Sequence, residues 1–138
     1  MRISNKELGS IARRAMEAAH APYSNFRVGA ALLASSGRVF TGCNIESSSY
    51  SLTICAERTA IFKAISEGVH KFSAIAIASV DPGYITPCGA CRQVLIDLAG
   101  NIDVVMLNGR DRIKVRKLSS LIPVAFTDRN LSRSKGKK

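Results

Sequence analysis

Three cysteines and one glutamate are the residues in this 138-residue sequence whose types and spacing could support a catalytic metal. Cys88 and Cys91 form a Cys-x-x-Cys pair, and Cys55 stands two residues before Glu57. The pair alone is compatible with redox chemistry or with zinc, whereas a third thiolate and a nearby carboxylate favour a metal site. Catalytic zinc has three protein ligands and an open fourth position, which these cysteines could provide with Glu57 beside it.

Helix signals place two of these cysteines at the starts of helices. The pattern of apolar residues predicts one helix over residues 55–68, ending at a glycine, and another over residues 88–98. Cys55 and Cys88 therefore fall at helix N-termini. There the backbone amides and the positive end of the helix dipole stabilise anions such as thiolates.

The order of helical and extended patterns predicts an α/β domain of three layers, with helices on both faces of a five-stranded mixed sheet. A capping box at Ser4 and Glu7 starts a first helix that should run to about residue 20. Strands are predicted over residues 27–35, 38–44, 72–80, 102–107 and 112–116, and a short helix over residues 118–122. Asn108-Gly109 is typical of a tight hairpin turn, so the last two strands should be antiparallel.

Positive charge is concentrated at the C-terminal end. The net charge is +10, and residues 1–109 carry ten basic and eight acidic side chains, whereas residues 110–138 carry ten and two. We predict one domain over residues 1–127 and a basic, flexible tail over residues 128–138. Because no aromatic residues are interleaved with the basic residues of the tail, an obligatory nucleic-acid partner is not expected.

Hydrophobic patterning argues against a membrane protein. Purely apolar stretches such as residues 74–78 are far shorter than the ~20 residues that span a bilayer. The first residues include an acid and lead into an amphipathic pattern instead of an apolar segment. No signal peptide is therefore predicted, and a cytoplasmic location is expected.

Four stretches of the sequence closely resemble the zinc-dependent cytidine deaminases that act on free nucleosides. They are PYSNFRVGAAL at residues 22–32, TGCNIE at 41–46, CAERTA at 55–60 and PCGACRQVL at 87–95. The likeness covers residues 1 to about 127 and implies the three-layer α/β/α fold of that family, with one Zn²⁺ per subunit. It also implies hydrolytic deamination of cytidine and deoxycytidine to uridine and deoxyuridine, with release of ammonia, in pyrimidine salvage.

By this resemblance, the metal ligands are Cys55, Cys88 and Cys91. Hydroxide generated at the metal attacks C4 of the base. Glu57 takes a proton from the water, passes it to ring N3 and later supplies one to the departing amine. The adjacent Arg58 is similar to a family arginine that hydrogen-bonds a zinc-bound sulfur, so we predict that its guanidinium donates to at least one ligand thiolate.

The same resemblance assigns four residues to substrate binding, namely Phe26, Asn44, Glu46 and Ala56. Asn44 and Glu46 stand two apart just after a strand, so on a continuing strand both side chains would point to one side and could grip a sugar hydroxyl. The likeness makes this the ribose 3′-hydroxyl and puts Phe26 near the pyrimidine ring. From the residues alone, Asn44 could simply end the strand and Phe26 could belong to the core.

Tyr50 and Phe126 resemble residues that subunits of the family's tetramers contribute to a neighbouring subunit's pocket. This implies a homotetramer with composite sites. The sequence departs from the common pattern near Tyr50, where Ser47, Ser48 and Ser51 replace the usual Asn, Ala and Gly. These departures concern subunit contacts and leave the metal-binding motifs unchanged.

Three other functions share part of this pattern. Polynucleotide deaminases usually carry histidine in place of Cys55 and join their last two strands by a parallel crossover, whereas a hairpin is predicted here. Blasticidin-type deaminases share the zinc site and the antiparallel ending, but Asn44 and Glu46 favour ribose. A structural zinc module or a nucleic-acid-binding module would need a fourth ligand and would give Glu57 no function.

Overall fold

A computed structural model describes residues 3–135 as a five-stranded sheet with helices on both faces. The strands are β1 (Val28–Ala34), β2 (Val39–Cys43), β3 (Phe72–Ser79), β4 (Asp103–Leu107) and β5 (Ile113–Lys117). The α-helices are α1 (Asn5–Ala15), α2 (Ala56–Ser66), α3 (Gly89–Leu98), α4 (Leu118–Leu121) and α5 (Asp128–Lys135). Turns of 3₁₀ helix cover Met16–Ala18 and Tyr50–Leu52.

The sheet is mixed, with strand order β2-β1-β3-β4-β5. β1 pairs antiparallel with β2 and β3, β3 pairs parallel with β4, and β4 pairs antiparallel with β5. The parallel pair is joined through α3, because parallel strands need a crossover, whereas residues 108–112 suffice for the final antiparallel pair. The predicted three-layer α/β fold and its antiparallel ending are confirmed.

β2, β3 and β4 run in the same direction, so their carboxyl ends lie along one edge of the sheet, perpendicular to the strands. This follows from the pairing, since β1 runs antiparallel to both β2 and β3 while β4 runs parallel to β3. The segments that leave β2 and β3 lead to the starts of α2 and α3. Both predicted ligand-bearing helices therefore begin near this edge, where open α/β sheets bind their ligands.

The loop between β4 and β5 is longer than the predicted tight turn. The Asn108 N–H donates to the Arg112 carbonyl at 3.0 Å, and the residue in the left-handed region is Asp111, with a φ of 60°. Within the loop, the Asn108 Oδ1 accepts from the N–H groups of Arg110 at 2.9 Å and Arg112 at 3.0 Å, and α1 adds a tertiary contact. Arg13 donates to the Asn108 carbonyl at 2.9 Å and to the Asp111 carboxylate at 2.8 Å, so the loop closes around that guanidinium.

The sheet buries an apolar layer on each face, because side chains alternate along its strands. The layer towards α2 and α3 includes Leu32, Ile61, Ile75, Ile77, Leu95 and Val104. The layer towards α1 includes Leu8, Ala12, Ala31, Leu33, Ala76 and Val105. β3 is buried on both faces over nearly all its length, as its uninterrupted apolar run predicts.

α1 begins with the predicted capping box and ends earlier than predicted. The Ser4 hydroxyl accepts from the Glu7 N–H, and the Glu7 carboxylate accepts from the Ser4 N–H, both at 3.1 Å. The α-helix ends at residue 15 and a 3₁₀ turn follows. His20 lies outside the helix because its backbone forms a bridge with Ile45.

The basic C-terminal segment contains a helix, α5, which the sequence analysis did not predict. The flexibility of this tail and the domain boundary at residue 127 stay predictions. Within residues 3–135, no helix combines the length and the apolar character needed to cross a membrane.

Candidate metal centre and active site

The sulfur atoms of the three predicted ligands converge at the starts of two helices. Cys55 is the N-cap residue of α2, Cys88 is the N-cap residue of α3, and Cys91 lies in the first turn of α3. The sulfurs of Cys55 and Cys88 are 3.7 Å apart, those of Cys88 and Cys91 are 3.4 Å apart, and all three lie within 4.8 Å of one another. Because 33 residues separate Cys55 from Cys88, the fold and not local sequence brings them together.

This arrangement fits a tetrahedral zinc site. Two sulfurs that each bind one Zn²⁺ at about 2.3 Å lie about 3.8 Å apart in tetrahedral geometry, close to the separations found. A disulfide would need about 2.05 Å between sulfurs, and all four cysteines are free. Among the residues that the structure describes, no further His, Cys, Asp or Glu joins the cluster, so the protein leaves the fourth coordination position to solvent or substrate.

Close packing against β2 holds the start of α2 in place. A Cβ on Gly42 of β2 would lie 2.3 Å from the Ala56 carbonyl oxygen, so only glycine lets the helix approach this far. Cys55 and Glu57 flank that contact, and their positions depend on it. α3 begins without such a restraint, since no atom beyond its own helix and chain neighbours lies within 4 Å of the Cβ position of Gly89.

Arg58 hydrogen-bonds the sulfur cluster directly. Its Nη2 donates to the Cys55 sulfur at 3.3 Å. Hydrogen bonds from the Cys91 thiol and from this guanidinium lower the pKa of Cys55, and the bond to Cys55 raises the pKa of Arg58. The Arg58 Nε is buried and has no hydrogen-bond partner in residues 3–135. The arginine therefore adds positive charge where the thiolates gather.

Glu57 is the buried carboxyl group of the site. Only 4% of its surface is exposed, and it lies in the first turn of α2. Burial raises the pKa of Glu57 to about 7, and the charge on Cys55 adds to the rise. A carboxyl group with a pKa near neutrality can both accept and return a proton at physiological pH.

A cavity of about 200 Å³ opens beside Glu57. Its lining combines predicted metal ligands, predicted substrate-binding residues and residues that the sequence pattern did not single out. In chain order these are Phe26, Val28, Asn44, Thr53, Ile54, Cys55, Ala56, Glu57, Ile85, Thr86 and Cys88. Phe26 is 36% exposed, so it belongs to the cavity wall and not to the core. Ile85 and Thr86 lie in a loop without periodic signal, and only their closeness to Cys88 in the chain could have indicated them.

Asn44 and Glu46 follow the end of β2 and flank Ile45, which forms backbone bridges with His20 and Ile54. β2 ends at Cys43, one residue before its predicted end, and residues 44–46 continue with backbone hydrogen bonds to Val28, Ile54 and His20. Asn44 lines the cavity of Glu57. Glu46 lines an adjoining cavity of about 400 Å³, together with Tyr23, Ser24, Tyr50 and Thr53. The two cavities meet at Thr53, which lines both.

The side chain of Asn44 holds the backbone on either side of Arg27. Its Oδ1 accepts from the Val28 N–H at 2.8 Å, and its Nδ2 donates to the Phe26 carbonyl at 2.7 Å. An amide has two N–H donors and an oxygen with two lone pairs. Asn44 therefore keeps one donor and one acceptor site for a substrate group.

The carboxylate of Glu46 organises the segment that precedes Phe26. Its Oε1 accepts from the N–H groups of Tyr23 at 2.9 Å and Ser24 at 3.1 Å, and its Oε2 accepts from the Ser24 hydroxyl. The bond from that hydroxyl is the main cause that lowers the pKa of Glu46. A carboxylate offers about four acceptor sites, so about one stays available.

Tyr50 and Phe126 stand outside the cavity of Glu57 in their own chain. Their exposed fractions are 74% and 59%. The Tyr50 ring meets the Tyr23 ring edge to face, with the centroids 5.9 Å apart. Leu52 and Val124 beside them are also exposed. These exposed apolar side chains are of the kind that another copy of the chain could cover.

Comparison with known proteins identifies the family of this chain. Residues 3–107 match the family model described as the cytidine and deoxycytidylate deaminase zinc-binding region. The chain is 48% identical over 121 residues to the cytidine deaminase of Sporosarcina psychrophila, which covers 87% of this chain and 89% of that protein. It is 47% identical over 120 residues to the cytidine deaminase of Halalkalibacterium halodurans, with 86% and 91% covered.

The fold agrees with that of a solved relative. The crystal structure of cytidine deaminase from Burkholderia pseudomallei superposes with a TM-score of 0.87 at 46% identity and covers 90% of this chain and 100% of that one. The zinc-binding family model and the cluster of three cysteines together identify Zn²⁺ as the cofactor. The chain belongs to the zinc-dependent cytidine deaminases, a family of hydrolases.

Proposed function

We propose that this chain catalyses the hydrolytic deamination of cytidine and deoxycytidine to uridine and deoxyuridine, with release of ammonia, as a step of pyrimidine salvage in the cytoplasm. The observation that carries the proposal is one buried carboxyl group, Glu57, beside three converging thiols at the wall of a cavity. Relatives that match most of this chain bear the name cytidine deaminase, which supports the choice of substrate.

Zinc binding by Cys55, Cys88 and Cys91 is the first part of the proposal. When bound, zinc lowers the pKa of a coordinated water to about 7 and so makes hydroxide available near neutral pH. Three thiolates exceed the charge of one Zn²⁺ and weaken this effect. The N-termini of α2 and α3 and the guanidinium of Arg58, 3.3 Å from the Cys55 sulfur, offset the excess negative charge.

Proton transfer by Glu57 is the second part. The carboxylate takes a proton from the attacking water, delivers it to ring N3 and then supplies a proton to the departing amine. C4 thereby exchanges its bond to nitrogen for a bond to oxygen, and one water is consumed for each ammonia released. The pKa of about 7 that burial gives Glu57 suits this work, because an acid–base group is most effective near the working pH.

Nucleoside binding by Phe26, Asn44, Glu46 and Ala56 is the third part. Phe26 and Ala56 line the cavity beside Glu57, so they are suited to contact the pyrimidine ring. Asn44 keeps one donor and one acceptor, and Glu46 keeps an acceptor, after their contacts with the backbone. These free sites are suited to the ribose 3′-hydroxyl.

Ammonia release from four compounds tests the function. The substrates are cytidine, deoxycytidine, cytosine and a cytosine-containing oligonucleotide, each with and without a zinc chelator. We expect release from both nucleosides, its loss in chelator, and none from the oligonucleotide. No release from either nucleoside by the zinc-loaded protein would contradict the proposal, and preferential release from the oligonucleotide would assign the site to nucleic-acid editing.

Glu57→Gln separates metal binding from proton transfer. Glutamine keeps the size of the side chain but cannot carry the protons, so the variant should retain its zinc and lose about 10²–10⁴-fold in kcat. Glu67→Gln, at the C-terminal end of the same helix, is the matched control and should keep normal turnover. A Glu57→Gln enzyme with near-normal kcat would contradict the proposed mechanism.

A homotetramer with composite cavities is the last part of the proposal. Tyr50 and Phe126 are exposed apolar side chains outside the cavity of their own chain, which supports a contact with a neighbouring subunit. Light scattering coupled to size exclusion should give four times 14.8 kDa. Phe126→Ala should raise the KM for cytidine, and a fully active monomer would contradict the composite site.

A further inference from the structure

One serine connects the two ends of the proposed nucleoside site. The Ser24 hydroxyl donates to Oε2 of Glu46 and at the same time accepts from the Phe26 N–H at 3.0 Å. In the described part of the chain, no other side chain hydrogen-bonds both to the Glu46 carboxylate and to Phe26. Ser24 therefore links a carboxylate in the outer cavity to a residue that lines the cavity of Glu57.

We propose that Ser24 is a positioning residue that sets the preference of the enzyme for substrates with a ribose 3′-hydroxyl. It does so by holding the Glu46 carboxylate in the orientation that receives this hydroxyl. The inference rests on the proposed sugar-binding function of Glu46 and adds a residue that this function does not require by itself.

The Ser24 hydroxyl binds a different oxygen of the Glu46 carboxylate from the one that the backbone N–H groups bind. The two backbone N–H groups, from Tyr23 and Ser24, both reach Oε1 of Glu46. They fix that oxygen but leave the carboxylate free to turn about it. The Ser24 hydroxyl is the only donor to Oε2 in the described residues, so it alone fixes the second oxygen. A hydroxyl donating to a carboxylate forms one of the stronger classes of hydrogen bond.

The same hydroxyl also accepts a hydrogen bond from Phe26, the residue proposed to contact the base. Phe26 is held at its N–H by Ser24 and at its carbonyl by Nδ2 of Asn44, at 2.7 Å. Asn25 before it adopts a left-handed conformation with a φ of 57°, which asparagine tolerates better than most residues. These contacts restrain the backbone from Ser24 to Phe26, and the Ser24 hydroxyl links it to the Glu46 carboxylate.

A comparison of substrates with and without the 3′-hydroxyl isolates the sugar effect. Ser24→Ala should lower the ratio of kcat/KM for deoxycytidine to kcat/KM for 2′,3′-dideoxycytidine, which differ only in the 3′-hydroxyl, about tenfold, mainly through the KM for deoxycytidine. Any displacement of Phe26 affects both substrates alike and cancels in this ratio. Ser24→Thr keeps a hydroxyl and should restore the ratio.

Ser36→Ala is the matched control. The Ser36 hydroxyl also accepts from the N–H two residues ahead, that of Arg38, at 3.4 Å, but it lies in the turn between β1 and β2 without a carboxylate partner. The Ser36→Ala enzyme should have the same ratio of the two kcat/KM values as the parent enzyme. If Ser24→Ala does not fold, Ser24→Cys offers the same comparison, because a thiol is a weak donor of similar shape.

Glu46→Ala distinguishes failure of this inference from failure of the proposed function. A parent enzyme with no preference for deoxycytidine over 2′,3′-dideoxycytidine would overturn the sugar-binding function of Glu46 and the inference with it. If the parent discriminates and Glu46→Ala does not, a Ser24→Ala enzyme that retains full discrimination would overturn the inference about Ser24 alone.

Discussion

Replacing Gly42 with alanine should damage the active site through a backbone contact, without altering any reacting group. The new Cβ would lie 2.3 Å from the Ala56 carbonyl oxygen, whereas ordinary contacts begin near 3.4 Å, so α2 must retreat by about 1 Å. The backbone nitrogen of Ala60, at 2.7 Å from the same Cβ position, prevents relief by a small slide along the helix.

This displacement should lower stability and activity together. Overpacking of this kind costs about 1–3 kcal/mol, which for a chain of this length lowers the Tm by roughly 3–10 °C. Cys55 and Glu57 stand at the first turn of α2, which is the part that moves. A misplacement of about 1 Å at a catalytic group costs on the order of 10²-fold, so kcat/KM for cytidine should fall by about that factor.

Gly89→Ala is the matched control, because it makes the same change at the start of the other ligand-bearing helix. Nothing outside its own helix and chain neighbours lies within 4 Å of the new Cβ, and its φ is not positive. Alanine there should be neutral or stabilise by up to about 1 kcal/mol. Thermal unfolding, zinc content and ammonia release would be measured for both variants. A Gly42→Ala enzyme with a Tm within about 1 °C of the parent and an unchanged kcat/KM would refute the reasoning.

Contacts at the sulfur cluster and at the β4–β5 loop predict three further outcomes. Arg58→Ala should weaken zinc affinity by about 10–100-fold, because it removes the hydrogen bond to Cys55. Competition with a chromophoric chelator measures this affinity, and an unchanged value would argue against that contact. Removal of zinc should lower the Tm, and added zinc should raise it with the logarithm of zinc concentration, since the metal binds the folded state. A Tm insensitive to zinc would contradict the metal site. Arg13→Ala loses hydrogen bonds to the Ser79 carbonyl, at 2.5 Å, and to the loop, and should cost about 2 kcal/mol in urea unfolding. Its exposed neighbour Arg14, changed to alanine, should cost less than about 0.5 kcal/mol, and equal losses would refute the assignment.

The resemblance to a known family implied that the three cysteines converge, and local and tertiary signals agree with it. Helix-start patterns place Cys55 and Cys88 at N-termini, and the structure has both as N-cap residues. A βαβ crossover and a shared sheet edge then bring the two helix starts together. Each step depends on periodicity and on the rules of strand connection, which a sequence displays directly.

The proposed sugar end of the cavity could not be predicted in the same way, because long-range hydrogen bonds decide its shape. Asn44 and Glu46 lie beyond the end of β2, and their side chains hydrogen-bond backbone groups 16 to 23 residues earlier in the chain. A serine in a turn is ordinary composition, so nothing in the sequence distinguished Ser24 from other loop serines. The β4–β5 loop likewise receives a guanidinium from α1, a contact that the local turn signal does not indicate.

The two ends of the proposed substrate cavity are therefore built from different kinds of structure. The metal end depends on packing, with Gly42 in contact with Ala56 and Cys91 fully buried. The sugar end depends on side chains such as Asn44 and Glu46 that hold loop backbone by hydrogen bonds. Because core packing costs more to disturb than a single loop hydrogen bond, changes at the metal end should lower stability and kcat together, whereas changes at the sugar end should act mainly on KM. Sugar preference can thus change within this fold without loss of the metal site.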